Sequence, residues 1–314
     1  MFKINSLSYK YLSGREGLRD VCMEGVAGDR IVLMGPNGSG KTTLLSALAT
    51  ELNSKGSVEV LGHSADENLQ EVRRRIAFAG DRPVHLEELS GIENAQLFAD
   101  LYGLERQYAE SVLDNLFTRF GLSKVKHFPV SSYSHGMKKK LQLVEGFVHS
   151  PELLILDEPT LGLDPLSLEE FIDFIVQFKK GCVVMATNDP LVATKVATSV
   201  VFLMDGSVVA KGSPQELLDQ LDEEVKVEIW TSGSEQKITS LESDGMVARV
   251  SPDKIVANMP SDVAPLPELM KTILRAGFEI SRVEIARPDL SDVFLMLTGR
   301  SLTEESAVAR EQLT

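Results

Sequence analysis

The chain of 314 residues is long enough for one large domain or two smaller ones. Hydrophobic residues make up 43% of it and charged residues 25%, as in a globular protein with a substantial core. The formal net charge of −14 argues against a general nucleic-acid binder, which needs a basic surface, but is compatible with a local basic pocket for a phosphate.

Cysteine content and hydropathy bear on the cellular location. The two cysteines, Cys22 and Cys182, suggest neither a disulfide framework nor a metal site, so we expect a reduced, cytosolic location. The N-terminus lacks the apolar core of a signal peptide, and no apolar run approaches the ~18 residues that span a bilayer. We expect a soluble protein, or one that attaches to a membrane through another chain.

The first part of the chain has strand patterns, and a helical pattern follows. FKINSLSYKY at 2–11 alternates, and IVLM at 31–34 is a continuous apolar run typical of a strand buried on both faces. Between about 92 and 122 apolar residues recur at the spacing of one helix face. That face contains Leu113, Leu116, Phe117 and Phe120.

Two later apolar runs enclose a second helical segment. LLILD at 153–157 and CVVMA at 182–186 suit buried strands, and LSLEEFIDFIVQFKK at 166–180 lies between them. Strand, helix and strand of these lengths predict a crossover unit of a parallel sheet. VVFLMDGSVVAKGS, at 200–213, predicts a hairpin that turns at Asp-Gly.

The pattern changes after about residue 221. Short alternating strands are predicted at EEVKVEIW, MVARVS and KIVANMP, and PELMKTILRAG predicts a helix that ends at Gly277. We therefore expect a first domain over 1–221, a small α+β accessory domain over 222–300 and a polar tail over 301–314.

GPNGSGKTT, at 35–43, matches the full phosphate-loop pattern of Gly, four residues and Gly-Lys-Thr, between a predicted strand and a predicted helix. Glycines let successive backbone N–H groups point inward, and the helix N-terminus adds its positive end. Lys41 would reach the terminal phosphates, and the Thr42 hydroxyl would bind Mg²⁺. The alternative to a phosphate loop is an unrelated Gly-rich turn, which would not need a strand before it and a helix after it. The candidate binding residues are Gly35, Pro36, Asn37, Gly38, Ser39, Gly40, Lys41, Thr42 and Thr43.

Two adjacent carboxylates follow the buried strand LLIL. Asp157 ends that strand, and open parallel sheets place their ligands at the carboxyl ends of their strands. Asp157 could therefore hold a Mg²⁺ that bridges phosphates. Glu158 could take a proton from an attacking water. The alternative is a helix-capping Asp beside a solvated Glu.

In this order the motifs resemble those of the ATP-binding subunits of ABC transporters, over about residues 2–220. The resemblance implies a P-loop NTPase of ABC type in the α/β class. It implies a mixed sheet core, a helical subdomain at about 86–150, and a small C-terminal α+β domain. It also implies an ATPase that uses ATP and Mg²⁺.

Further positions match the family pattern. Tyr11 stands where the family has an aromatic residue that stacks on adenine; a core tyrosine is the alternative. In YSHGM, the family signature, Ser134 and the Gly136 backbone would contact the γ-phosphate held by the opposite subunit. His135 replaces the usual small residue, which requires its side chain to point outward. Asp164 ends LGLD, which matches the loop that links the two active sites.

Two positions depart from the family pattern. Asp81 falls where a Gln near Mg²⁺ is usual; it is still an oxygen ligand, although a simple turn residue is the alternative. Asn188 falls where a His usually contacts the γ-phosphate; it can donate a hydrogen bond but carries no positive charge. If the missing imidazole limits turnover, Asn188→His should raise it.

RPDLSDVFLMLTGR, at 287–300, resembles the C-terminal end of the daunorubicin-resistance group of exporter ATPases. The resemblance implies an exporter subunit on the cytoplasmic side of the membrane, bound to a separately encoded permease. A second ATP-binding subunit would complete a homodimer or heterodimer, and no nucleic acid is implied. A soluble ABC-type ATPase of translation or DNA repair is the alternative, although those usually have paired ATPase domains or long coiled coils. The signature segment argues against a P-loop kinase.

Overall fold

A computed structural model describes residues 1–53, 57–65, 69–221, 224–232, 240–243, 246–250, 254–260 and 263–302. Its strands are β1 Phe2–Lys10, β2 Glu16–Gly25, β3 Arg30–Met34, β4 Val58–Val60, β5 His63–Ser64, β6 Ile76–Ala79, β7 Leu153–Asp157, β8 Cys182–Ala186, β9 Ser199–Met204, β10 Ser207–Gly212, β11 Glu224–Ser232, β12 Ser240–Ser243, β13 Met246–Val250, β14 Lys254–Pro260 and β15 Glu279–Ala286. Its α-helices are α1 Lys41–Leu48, α2 Leu69–Arg73, α3 Gly91–Leu101, α4 Arg106–Arg119, α5 His135–Phe147, α6 Pro165–Gln177, α7 Pro190–Val196, α8 Pro214–Leu218, α9 Leu266–Arg275 and α10 Leu290–Thr298.

The chain divides into two compact units. One consists of Met1–Pro214 together with the described residues from Leu297 onward, and the other is Gln215–Met296. The boundaries predicted near 221 and 300 stay predictions, and residues 303–314 of the predicted tail lie outside the described part of the chain. In that part, none of the helices has both the length and the apolar character needed to cross a membrane.

The first unit is built on two sheets. One has the strand order β10-β9-β3-β8-β7-β6, in which only β10 is antiparallel; the other is antiparallel, in the order β2-β1-β4-β5. The predicted crossover unit is confirmed, since β7 and β8 pair in parallel with Leu153 opposite Cys182. The predicted hairpin of β9 and β10 is confirmed as well, and both Asp205 and Gly206 have positive φ at its turn.

The strands at the centre of the larger sheet are apolar throughout because both of their faces are covered. Every residue of β7 and β8 is buried, and so are four of the five residues of β3. Leu44, Leu45 and Leu48 of α1 belong to the same core as Ile31 and Leu33. Burial of each such side chain stabilises the fold by ~1.5–3 kcal/mol, so α1 is held firmly beside the carboxyl end of β3.

Helices α3, α4 and α5 form the helical part of the first unit. Ser90 and Glu93 form a reciprocal capping box at the start of α3. The helical pattern predicted over 92–122 is two helices, because the chain turns at Gly103 with φ +71°. The predicted apolar face is confirmed, with Leu113 and Phe117 fully buried.

The second unit is an antiparallel sheet in the order β12-β13-β14-β11-β15, accompanied by α9. Its core contains Val227, Ile229, Ile255 and Ile273. The predicted strands and helix are confirmed here, and Gly277 takes the positive φ of a helix end. Strands β12 and β15 were not predicted from the sequence; β15 is at most half-buried along its length, so its apolar pattern is weak.

Candidate functional site

The phosphate-loop motif connects β3 to α1 and needs glycine at two points. Gly35 has φ +155°, and a Cβ there would lie 2.1 Å from the Leu203 carbonyl oxygen. Gly40 has φ +109°, and a Cβ there would lie 2.7 Å from the Gly17 carbonyl oxygen. The loop therefore passes so close to neighbouring backbone that a side chain at either position would displace it.

Lys41 is the first residue of α1, and its ammonium group lies inside the loop. It donates to the carbonyl oxygen of Gly35 and, at 3.4 Å, to that of Pro36. Burial lowers the pKa of Lys41, while the charges of Glu158 and Asp157 act in the opposite direction. The phosphate loop thus holds a cation next to the two carboxylates that the sequence singled out.

Thr42 and Asp157 bring two oxygen donors together. The Thr42 hydroxyl donates to Asp157 Oδ2 at 2.7 Å, across the gap between α1 and the end of β7. Burial raises the pKa of Asp157, and the hydrogen bond from Thr42 opposes that shift. Asp81 is exposed and lines the same cleft. A hydroxyl and two carboxylates are hard oxygen donors, so the residues present fit Mg²⁺.

Glu158 has a strained backbone. Its φ of +46° is a left-handed conformation that costs a non-glycine residue about 1–3 kcal/mol. Its N–H donates to the Ala186 carbonyl oxygen at 3.0 Å, which holds the turn after β7 against β8. Burial raises the pKa of Glu158, opposed by the charge of Lys41. A carboxylate whose pKa is shifted toward neutrality suits proton transfer near pH 7.

These groups surround one cleft of about 330 Å³. Its lining residues are Tyr11, Arg15, Gly17, Asn37, Gly38, Gly40, Lys41, Thr42, Thr43, Asp81, Asp157 and Glu158. Two buried polar atoms of this region, Arg15 Nε and Ser39 Oγ, have no hydrogen-bond partner among the described residues. Unpaired buried donors of this kind are suited to an anionic ligand with many oxygens.

Tyr11 lies at the mouth of the cleft. Its hydroxyl is 2.7 Å from Thr43 Oγ1, and its ring meets Tyr9 edge-on at 5.1 Å between centroids. The side of the ring also approaches Gly17, where a Cβ would lie 2.8 Å away. Because Tyr11 is 37% exposed, the alternative of a core tyrosine does not hold.

The signature segment and the LGLD loop do not line this cleft, and they pack against each other. Ser134 is exposed and caps α5 by accepting from the Met137 N–H at 3.2 Å. A Cβ at Gly136 would lie 3.0 Å from the Gly162 carbonyl oxygen. His135 is exposed, as its position in the motif requires. Asp164 caps α6, and none of the three predicted phosphate or linking residues lines the cleft of its own chain.

Asn188 contacts the phosphate loop directly. Its Oδ1 accepts a hydrogen bond of 3.0 Å from the Gly35 N–H. Since a backbone N–H can only donate, Asn188 must present its oxygen there, and its amide N–H₂ is directed elsewhere. This contact changes the expectation for Asn188→His, because an imidazolium has no acceptor to offer Gly35.

We now expect Asn188→His to leave ATP turnover unchanged or lower at neutral pH, and to lower it further as the introduced ring is protonated. Asn188→Leu should cost more at every pH, because the Gly35 N–H then lacks its partner, a penalty of ~1–3 kcal/mol. Steady-state ATPase rates from pH 6 to 9 measure both variants. A higher rate for Asn188→His than for the parent would contradict this role.

Three residues of the site were not predicted from the sequence. Arg15 comes from the turn between β1 and β2 and Gly17 from the start of β2, and neither matched a motif. Lys139 lies in a run of three lysines that predicts a solvated helix face, yet it is 1% exposed and donates to the Gly80 carbonyl oxygen at 3.2 Å. Burial lowers the pKa of Lys139, while nearby carboxylates, Asp81 first among them, raise it.

Comparison with known proteins identifies the family. The family model described as ABC transporter matches residues 18–161. The daunorubicin resistance ATP-binding protein DrrA3 of Streptomyces coeruleorubidus is 32% identical over 272 residues, 85% of this chain and 86% of that protein. The doxorubicin resistance ATP-binding protein DrrA of Mycobacterium tuberculosis is 31% identical over 306 residues, 94% of this chain and 92% of that protein.

A solved structure described as the ATP-binding subunit of an ABC transporter superposes with a TM-score of 0.65 at 30% identity. It covers 70% of this chain and 92% of its own. The dimeric ATP-binding cassette MJ0796, bound to ADP and phosphate, has a TM-score of 0.63 at 21% identity and shares the fold; the match covers 68% of this chain and 98% of that one. With the phosphate loop, the carboxylates and these relatives taken together, the chain belongs to the ATP-binding proteins of ABC transporters and is an ATPase.

Proposed function

We propose that this ATPase is the energy-supplying subunit of an exporter whose permease is a separate chain, on the cytoplasmic side of the membrane. The observation that carries the proposal is the single cleft in which Lys41, Thr42, Asp157 and Glu158 meet. The exporter assignment is supported by relatives named for daunorubicin and doxorubicin resistance, which match over most of this chain. The transported substrate would be selected by the permease.

Each side of the cleft has a proposed role. The phosphate-loop N–H groups and Lys41 bind the β- and γ-phosphates, and Tyr11 stacks on the adenine. Thr42 and Asp157 hold Mg²⁺, with Asp81 as a further oxygen ligand; the ion would offset negative charge on the phosphate oxygens. Glu158 accepts the proton of the attacking water.

A second ATP-binding subunit completes the site in this proposal. Ser134 and Gly136 do not line the cleft of their own chain, and Ser134 is exposed, which supports a contact of both with the γ-phosphate of a partner subunit. Asp164 ends the LGLD loop, which packs against Gly136, and would connect the two sites. Hydrolysis would then separate the pair and move the permease. The accessory domain proposed over 222–300 contains none of the nucleotide motifs.

The permease assignment is tested by purifying the tagged chain from detergent-solubilised membranes of the native host. We expect a polytopic membrane protein in near-equal amount, and stimulation of the ATPase on reconstitution with it. The Glu158→Gln chain serves as a matched control that should co-purify equally well while hydrolysing slowly. Recovery of ribosomes or DNA repair proteins instead, with no polytopic partner, would favour the soluble alternative.

A further inference from the structure

The segment from Gly80 to Ser90, between β6 and α3, is fastened to α5 at three points. The Gly80 carbonyl oxygen accepts from Lys139 Nζ at 3.2 Å. Glu87 pairs with Lys138 at 2.5 Å near the surface. Between them, the ring of His85 is inserted against α5 with only 1% of its side chain exposed. The segment contains the cleft residue Asp81, and α5 begins directly after Ser134.

Both nitrogens of the His85 ring are hydrogen-bonded to α5. Nε2 lies 3.0 Å from the Lys138 carbonyl oxygen, and Nδ1 lies 3.0 Å from Glu145 Oε1. A carbonyl oxygen only accepts, so Nε2 must carry a proton. One further proton then lies between Nδ1 and the carboxyl of Glu145, whose side chain is only 3% exposed. Without that proton, a ring lone pair would face a buried carboxylate.

The surrounding charges favour retention of this proton near neutral pH. Burial, the largest single influence, lowers the pKa of His85, but the hydrogen bond and charge of Glu145 and the hydrogen bond to the Lys138 carbonyl together outweigh it, so the pKa lies above its ordinary value. The charge of the Lys138 side chain lowers the pKa of His85, and that side chain is itself paired with Glu87. Burial raises the pKa of Glu145 as well.

Other elements near His85 add little charge. β6 consists of Ile, Ala, Phe and Ala and has no titratable side chain, and Glu93 at the start of α3 is bonded to Ser90. A histidine whose pKa is raised by folding stabilises the folded state at low and neutral pH. That contribution is lost as the pH rises through the pKa of the folded protein.

We propose that His85 is a positioning residue for ATP hydrolysis, which holds the segment containing Asp81 against the signature helix α5 through the proton that it shares with Glu145. Loss of that proton at alkaline pH loosens the segment, and Asp81 no longer keeps its place in the cleft. The proposal rests on the proposed function of Asp81. Because the phosphate loop is not part of this link, kcat should change more than the KM for ATP.

The test uses the full chain and compares His85→Gln, Glu145→Gln and the double variant with the parent. His127→Gln, at an exposed histidine, is the matched control. Circular dichroism and Tm identify any variant that fails to fold. We expect His85→Gln to lower kcat by about tenfold at pH 7 with KM within twofold, since small misplacements at a site are costly. Glu145→Gln and the double variant keep a neutral hydrogen bond and should lose an alkaline decline in kcat that the parent shows.

A second arm repeats His85→Gln in the Asp81→Asn background. If His85 acts through Asp81, the effect of His85→Gln should shrink to less than twofold there, because coupled residues are not additive. An undiminished effect would overturn the inference, as would an alkaline decline that persists in folded Glu145→Gln. If Asp81→Asn itself leaves kcat unchanged while Glu158→Gln abolishes turnover, the ATPase assignment stands and the positioning role is refuted.

Discussion

Glu158→Gln is expected to lower ATP turnover by ~10²–10⁴-fold while leaving ATP binding intact, since this is the usual contribution of a general base. The substitution keeps the size of the side chain and the backbone bond to Ala186, so the strained turn after β7 is retained. Because hydrolysis is slow, ATP stays bound for longer, and the proposed pair of subunits should stay closed. Size-exclusion chromatography with and without Mg-ATP measures the closed pair.

The pH profile gives an independent check of the same role. Burial raises the pKa of Glu158, so the base becomes protonated, and turnover falls, as the pH drops through that raised value. Glu158→Gln should lose this acidic decline together with the rate. Glu110→Gln, at an exposed position on α4, is the control and should keep both. Turnover within a few-fold of the parent for Glu158→Gln would exclude Glu158 as the base.

Lys41→Ala is expected to abolish measurable Mg-ATP binding. Each charge-assisted hydrogen bond from the ammonium to a phosphate is worth ~1.5–3 kcal/mol, and Lys41 is predicted to reach two phosphates. The variant also removes the more influential of the two lysines whose charges offset Asp157 and Glu158, so the cleft would bind a polyanion less well. The loop itself remains, because its course depends on Gly35 and Gly40.

Isothermal titration with Mg-ATP measures the loss, and Lys124→Ala, at an exposed lysine, is the matched control. A Tm close to that of the parent would show that the fold is intact. We expect the control to bind as the parent does. Unchanged affinity in Lys41→Ala would refute the assignment of the phosphate loop, and would do so independently of Glu158.

Much of the fold could be predicted because its signals are local. Buried parallel strands such as β7 and β8 require continuous apolar runs, and the Asp205-Gly206 turn permits the positive φ values that a tight hairpin needs. The phosphate loop has a fixed spacing, since backbone N–H groups must converge on one ligand. These patterns can be recognised without knowledge of what lies next to them in space.

The contacts that refine the site could not be predicted, because they join residues distant in sequence whose types are ordinary. Nothing in the sequence around Asn188 indicates that its side-chain oxygen accepts a hydrogen bond from the Gly35 N–H. Glu145 follows Leu141 by four residues, on the apolar face of α5, but the sequence does not identify its partner, because His85 lies in a segment with no periodic pattern. The packing of α5 against the 80–90 segment buries His85 and Glu145 together.

The position of β3 in its sheet affects how the protein is made. β3 pairs with β8 through Arg30 and Val183, and with β9 through Ile31 and Ser199. At ~5–20 residues per second, a ribosome needs roughly 10–30 s to add the chain that separates β3 from these partners. The turn after β9 is synthesised equally late, and its Gly206 N–H donates to the Ser39 carbonyl oxygen, so the phosphate loop also lacks this contact until then. During that interval β3 is an apolar strand with both edges unpaired, and chaperones are expected to cover it. The phosphate loop also lacks its late contacts, so we expect nucleotide to give little help in the early stages of folding.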